Sequence, residues 1–202
     1  ALKKDMEFAI LQNNTAVAGN DTTARELGGV PAWLESNTSR GTSGADGGFT
    51  SGVPTAATTG TLRAFTKTLL DDVLQSTYQS GGNATQAQLS PYNKRVFSGF
   101  SGISDLRTDV KKTDKQATIH AGADMYLSDF GTLRIVPNRV MATNAATARY
   151  VHLIDPEMMC VGIFDDIKQH KVAKTGDAEK RVLNVEYSLI MKNEAAHGEI
   201  AD

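Results

Sequence analysis

Ala117 to Val140 reads ATIHAGADMYLSDFGTLRIVPNRV, and the reading of this stretch decides the fold. Ile119, Ala121, Ala123, Met125 and Leu127 are apolar, with His120, Gly122, Asp124 and Tyr126 between them. A period of two predicts a strand that lays one face on a core. Ser128-Asp129-Phe130-Gly131 then supplies a turn, since Asp bonds its own backbone and Gly accepts positive φ. A second strand is predicted from Leu133 to Val136, ended by Pro137, which has no N–H to give a ladder. The expectation is a hairpin at the centre of a mostly antiparallel sheet. It reads as framework, because nothing in it pairs a nucleophile with a base.

Outward from the hairpin, helices accompany a mostly antiparallel sheet, which makes the expected class α+β. Leu2 to Asn14 has helical spacing, with Leu2, Met6, Ala9 and Ile10 on one face. Thr61 to Gln79 is the strongest helix, striped by Leu62, Phe65, Leu69 and Val73, with Leu70 and Leu74 beside them; Thr61 is its expected cap and Gly81-Gly82 its stop. A short strand, Ala84 to Leu89, runs into Ser90-Pro91, a cap followed by proline at the first helical position. The helix that follows, Pro91 to Phe100, is expected to present Tyr92, Val96 and Phe100. Asp105 to Gln116 is polar, either a solvated loop or a contact with a charged partner. Tyr150 to Ile154 is a predicted strand, Asp155-Pro156 a turn, and Met158 to Phe164 a buried run. Ile167 to Ala173 is expected to pair with Val182 to Met191, where Leu183, Val185, Tyr187, Leu189 and Met191 alternate with polar neighbours, Ile190 excepted. Asn193 to Asp202 reads as one more short strand or a fraying tail.

Thr15 to Gly60 differs in composition. It is dense in Gly, Ser, Thr and Ala, and Gly41 to Gly60 carries one charged residue, Asp46. Such a stretch loses chain entropy on ordering with little apolar burial in return. It is either a flexible linker or an extended loop that orders against a neighbouring subunit, with Trp33, Leu34 and Phe49 as anchors.

The totals set limits. In 202 residues, 40% are hydrophobic but only 6% aromatic, so the core must rest on aliphatic side chains. A net charge of −2 gives no overall drive toward nucleic acid. No stretch is long and apolar enough to span a bilayer, and no secretory leader is visible, so no membrane partner is expected. Cys160 is the single cysteine, set in the apolar run Met158 to Phe164, and is expected to pack as a small hydrophobe.

Candidate chemistry is sparse. Asp129-Phe130-Gly131 spells the metal-binding tripeptide of kinases but lacks their catalytic and glycine-rich loops, so it is read as a turn. His120, His152, His170 and His197 show no metal-ligand spacing. Gly41 to Gly48 lacks the Lys-Ser/Thr that ends a phosphate cradle. No catalytic residue, cofactor or metal is assigned, and the protein is not expected to be an enzyme.

The order of parts carries a resemblance. A Lys4-Asp5-Met6-Glu7 helix leads into a glycine-rich loop and an amphipathic helix. Then come Ser90-Pro91, MYLSDFGTLRIVPNR at Met125 to Arg139, YVHLIDPEMM at Tyr150 to Met159, and VAKTGDAEKRVLNVEYSLIMKNEAA at Val172 to Ala196. This arrangement resembles the major capsid proteins of tailed phages with the Hong Kong 97 fold, and within them the SU-ten type of major head proteins. The resemblance implies a peripheral domain in residues 1–82, beginning with the end of a spine helix. It implies an axial domain in 83–190 and a return to the peripheral domain in 191–202. It further implies an N-terminal arm and extended loop upstream of Ala1, a missing portion better explained by a truncated chain than by maturation. The implied role is an icosahedral shell in the virion, assembled in the host bacterial cytoplasm and enclosing packaged double-stranded DNA that it holds only loosely. The implied partners are the protein itself in hexamers and pentamers, a decoration or cement protein, a portal and a scaffold. Two rivals are a cargo-enclosing, encapsulin-like nanocompartment subunit and a hydrolase using His120 or His152 as base.

Overall fold

The structure, a computed structural model, describes residues 2–100, 125–173 and 176–201. Its elements in chain order are α1 (Leu2–Leu11), α2 (Val30–Trp33), β1 (Thr38–Ser39), β2 (Phe49–Thr50), β3 (Val53–Pro54), α3 (Lys67–Gln79) and β4 (Gln86–Leu89). They continue with α4 (Pro91–Phe97), β5 (Met125–Ser128), β6 (Gly131–Pro137), β7 (Tyr150–Ile154), β8 (Met159–Lys171), β9 (Arg181–Met191) and β10 (Gly198–Ala201). The class is mixed α/β with mostly antiparallel pairing. Six strands form one sheet in the order β1-β10-β7-β4-β6-β5, and β8 with β9 forms a separate two-stranded sheet. Within the six, β1–β10 and β4–β6 are the parallel pairs.

Local chemistry explains the helix ends. Ser90 accepts a hydrogen bond from the Asn93 N–H at 3.2 Å, and Pro91 follows at the first helical position, so α4 starts as its sequence predicts. Ser90→Ala is expected to cost about 1 kcal/mol in denaturant unfolding, the usual worth of such a cap. At the end of α3 the Gly81 N–H bonds Tyr78 O at 3.0 Å and the Gly82 N–H bonds Thr77 O at 2.9 Å. Gly81 takes φ 83°, a conformation that glycine adopts without a Cβ penalty. The start of α3 differs from the expectation: Thr66, not Thr61, is the cap. The Thr61 N–H is instead held by Thr42 O at 2.9 Å, which keeps that segment extended and leaves Leu62 exposed.

The hairpin β5–β6 forms, with Tyr126 opposite Leu133, but it lies at the edge of the sheet rather than its centre. The centre belongs to β7 and β4. Its inward face is also the reverse of the expected one. Met125 and Leu127 point outward, 67% and 81% exposed, and Tyr126 points in. Two contacts select this register: Tyr126 packs edge-on to Phe97, and its hydroxyl donates to Asp71 Oδ1 at 2.6 Å. A shift of one residue would forfeit both. On α4 the expectation holds in part: Phe100, just past the helix, is buried and Val96 packs against the core, but Tyr92 is exposed and Asn93 and Phe97 are buried instead. The predicted strand from Ile119 to Asp124 and the polar stretch from Asp105 to Gln116 lie outside the described residues.

Helices α3 and α4 cover one face of the sheet. Leu70, Val73, Phe97, Leu133, Val151 and Ile200 are central to that core. On the other face, Tyr150, Met141 and Ala201 pack with Leu11 and Phe8 of α1. A third cluster joins Val30 and Leu34 to Leu189, at the root of the β8–β9 sheet.

Residues 15–60 pack on their own chain instead of behaving as a linker. Val17 bridges Glu26, β1 joins the main sheet, and Ala45 exchanges hydrogen bonds with Thr58 at 2.9 and 2.8 Å. Leu34 is fully buried, and Trp33 meets Phe49 edge-on at 5.1 Å. Backbone and side-chain hydrogen bonds replace the missing apolar burial: Asn13 Nδ2 donates to Ala57 O at 2.6 Å, and Asn13 Oδ1 accepts from the Ala57 N–H at 2.8 Å. Asn193 to Asp202 resolves in favour of a strand, since β10 is wholly buried between β7 and β1.

Candidate assembly surface

The residues expected to be a buried run, Met158 to Phe164, open the long strand β8. It pairs with β9 from Met159–Met191 out to Lys171–Arg181, with register shifts on either side of Asp165. The pairing of Ile167 onward with Val182 onward is as predicted, but it reaches much further back. Most of this hairpin is not buried. Val161, Ile163, Phe164 and Ile167 on β8 are exposed, as are Val182, Leu183 and Ile190 on β9, and Phe164 reaches 89%. Only the root is anchored, where Leu189 is 2% exposed beside Leu34 and Val30. From Val185 to Met191 the predicted alternation holds, with Val185, Tyr187, Leu189 and Met191 on the more buried side. Cys160 is exposed on this strand and does not act as core filler, because β8 leaves the body within a residue or two of its start.

A two-stranded sheet is marginal in water by itself, and its two outer edges carry unpaired backbone groups. The charges along the hairpin do little to offset this. Lys168 Nζ meets Asp165 at 2.6 Å and Lys171 meets Glu179 at 2.6 Å, but these are exposed pairs of small net worth. Their effect is on solubility and on Lys168, whose ammonium is pushed up by its hydrogen bond to Asp165 and then by that carboxylate's charge. Near the root, a shallow groove is lined by Arg25, Ile163, Phe164, Glu186, Tyr187 and Ile190. Burial and then the Asp5 carboxylate of α1 raise the Tyr187 phenol.

The body, by contrast, encloses a small set of titratable groups. His152 on β7 and Glu199 on β10 are 0% exposed. Glu199 holds Arg40 through Oε1 at 2.9 Å and faces His152 Nδ1 through Oε2 at 3.2 Å, and Arg40 Nε also meets Asp46 at 2.9 Å. The Glu199 contacts are charge pairs without good hydrogen-bond alignment. No spacing in the sequence pointed to this group, because Arg40 and Glu199 meet only through the β1–β10 pairing. A sealed His152 has no route to an outside substrate, so it is poorly placed as a hydrolytic base. His197 accepts the Asp155 N–H on Nδ1 at 3.2 Å, and burial lowers its pKa. His170 lies on β8, and His120 is outside the described residues. Among the described residues no cluster of His, Cys, Asp and Glu suits a metal ion. Asp129-Phe130-Gly131 is a turn, as read: Ser128 Oγ accepts the Phe130 N–H at 3.2 Å and donates to Gly131 O at 2.9 Å.

The phenol of Tyr126 is raised well above its ordinary value, first by burial and then by its bond to Asp71. A raised folded-state pKa stabilises the fold below the unfolded value of about 10 and is lost as pH climbs beyond it. The unfolding midpoint is therefore expected to fall as pH rises past about 10, and to fall less steeply in Tyr126→Phe, which a pH series of thermal melts measures.

A packed body carrying an arm with apolar side chains in the open has the features of a structural subunit. A sequence model of the SU10 major capsid protein matches residues 1–202, and the chain belongs to that family of bacteriophage major capsid proteins. No curated protein matches it. Membership implies self-assembly into capsid oligomers, a place in the virion and a structural, non-enzymatic role. Among the described residues no helix is long and apolar enough to cross a membrane.

Proposed function

We propose that this chain forms the icosahedral head shell of a tailed phage, assembling as hexamers and pentamers around packaged double-stranded DNA. The observation that carries this reading is the β8–β9 hairpin, which has apolar side chains exposed along both strands and is anchored at its root, around Leu189, Met159 and Met191. Copies of the same chain supply the missing burial. The near-neutral balance of charge suits a wall that encloses DNA without gripping it. On this reading the fold is of the Hong Kong 97 type. The six-stranded sheet with α3 and α4 is the axial portion around capsomer centres, and α1 with the hairpin is the peripheral portion. This reading assigns α3, β1 and β10 to the axial portion, where the resemblance implies a peripheral domain in residues 1–82 and 191–202. Portal, scaffold and a decoration or cement protein are the further partners that such a shell engages, with assembly in the host bacterial cytoplasm.

Electron microscopy and light scattering of the full-length protein test this reading. Closed shells that copurify with nucleic acid are the expected result. A strictly monomeric species under all assembly conditions overturns it, and shells holding an enzyme cargo in place of nucleic acid favour a nanocompartment.

A further inference from the structure

We propose, resting on the reading of this chain as a shell subunit, that the groove beside Phe164 is filled by the Phe164 ring of a second copy, and that the two copies meet about a two-fold axis. Phe164 is set apart by the strand ladder. Ile163 opposes Tyr187 and Asp165 opposes Glu186, so Phe164 between them has no partner on β9. A bulge of this kind takes a residue out of the pleat and re-aims its side chain. The ring is exposed at the rim of the groove whose walls are Arg25, Ile163, Glu186, Tyr187 and Ile190. The recess itself comes from Gly162, which has no side chain, and from Ile190 folding onto it: a Cβ at Gly162 would lie 2.7 Å from Ile190 Cδ1.

One patch therefore carries a projecting aromatic ring and a recess side by side. It also carries opposite charges, Arg25 beside the Val17–Glu26 bridge and Glu186 on β9. Both are exposed, and among the described residues neither has an ion pair. A surface that presents both halves of a contact in one place matches itself. Half a turn puts each ring in the other copy's recess and each Arg25 against the other copy's Glu186, and the contact is then complete and closed. A head-to-tail contact needs the ring and the recess on separate faces. Strand addition along β8 is disfavoured, because the register shifts on either side of Asp165 break the row of backbone groups that an added strand would follow. An aromatic anchor seated in a desolvated recess carries much of an interface's energy, and complementary charges at the rim fix its register.

Cryo-electron microscopy of shells assembled from the full chain, at side-chain resolution, reads the contact directly. The expected result is Phe164 of one copy against Tyr187 and Ile190 of a copy related to it by a strict or local two-fold axis. Shells in which Phe164 faces solvent or packs elsewhere, or in which a different segment or a different protein fills the groove, overturn the inference and leave the shell reading standing. Failure of the wild-type chain to form shells removes that reading and the inference with it. Charge reversal is the second measurement. Arg25→Glu and Glu186→Arg are each expected to lower the yield of closed particles by about tenfold or more, because like charges then face each other across the axis. The double reversal is expected to restore the yield. Single variants that assemble at wild-type yield, or a double variant no better than either, overturn the inference.

Discussion

Phe97→Ala is expected to destabilise the subunit by about 3–5 kcal/mol, the range for truncating a buried aromatic side chain. Phe97 is fully buried at the C-terminal end of α4. Its ring lies 5.5 Å from Phe100 and 5.8 Å from Tyr126, edge-on to both, with Lys94 Nζ 5.6 Å above it. Removing it opens a cavity where helix, sheet and the Tyr126–Asp71 bond converge. The neighbours that would have to close in are ring systems held by their own contacts, so relaxation is limited. For a chain of this length the loss corresponds to a fall in melting temperature of roughly 6–20 °C. Tyr92→Ala is the paired control: its side chain is 65% exposed, so the change should stay within about 0.5 kcal/mol. Equal effects from the two substitutions would contradict the placement of α4 on the sheet.

Phe164→Asp is expected to leave the subunit folded and abolish shells. Phe164 is 89% exposed on β8, and its loss removes no contact from the body. Thermal melts and circular dichroism should therefore match the wild type to within about 0.5 kcal/mol. Assembly is another matter. Burying a phenylalanine side chain is worth about 1.5–3 kcal/mol, and placing a carboxylate in the same contact adds a desolvation cost. Because every copy in a shell repeats the contact, the penalty multiplies, and sedimentation or negative-stain microscopy should find only small species. Wild-type yields of closed particles would remove the hairpin from the assembly surface.

The parts of this fold that could be read from sequence are those decided by neighbours in the chain. Ser90-Pro91 and Gly81-Gly82 mark helix ends because caps are local hydrogen-bond arrangements. The strand Tyr150 to Ile154, apolar apart from His152, is buried on both sides. What was illegible depends on distant partners. Alternation along Met125 and Leu127 indicated a strand but not which face was inward, and Asp71 on α3 decided that. The apolar run from Met158 to Phe164 looked like core because hydrophobicity does not distinguish burial within a chain from burial between chains. The loop from Thr15 to Gly60 looked unsupported because its partners, among them Tyr150 and Glu199, are far along the chain. Glu199 lies in the segment read as a short strand or a fraying tail, and its pairing with β7 and β1 makes it internal.

That pairing also sets a timetable. Thr38 opposes Glu199, so about 160 residues must be added between the synthesis of one strand and that of its mate, roughly 10–30 s at ribosomal speed. Until β10 emerges, β7 has an open flank and Arg40 lacks Glu199, with Asp46 its nearer carboxylate along the chain. A nascent chain thus cannot close the main sheet between β7 and β1 before β10 has been made.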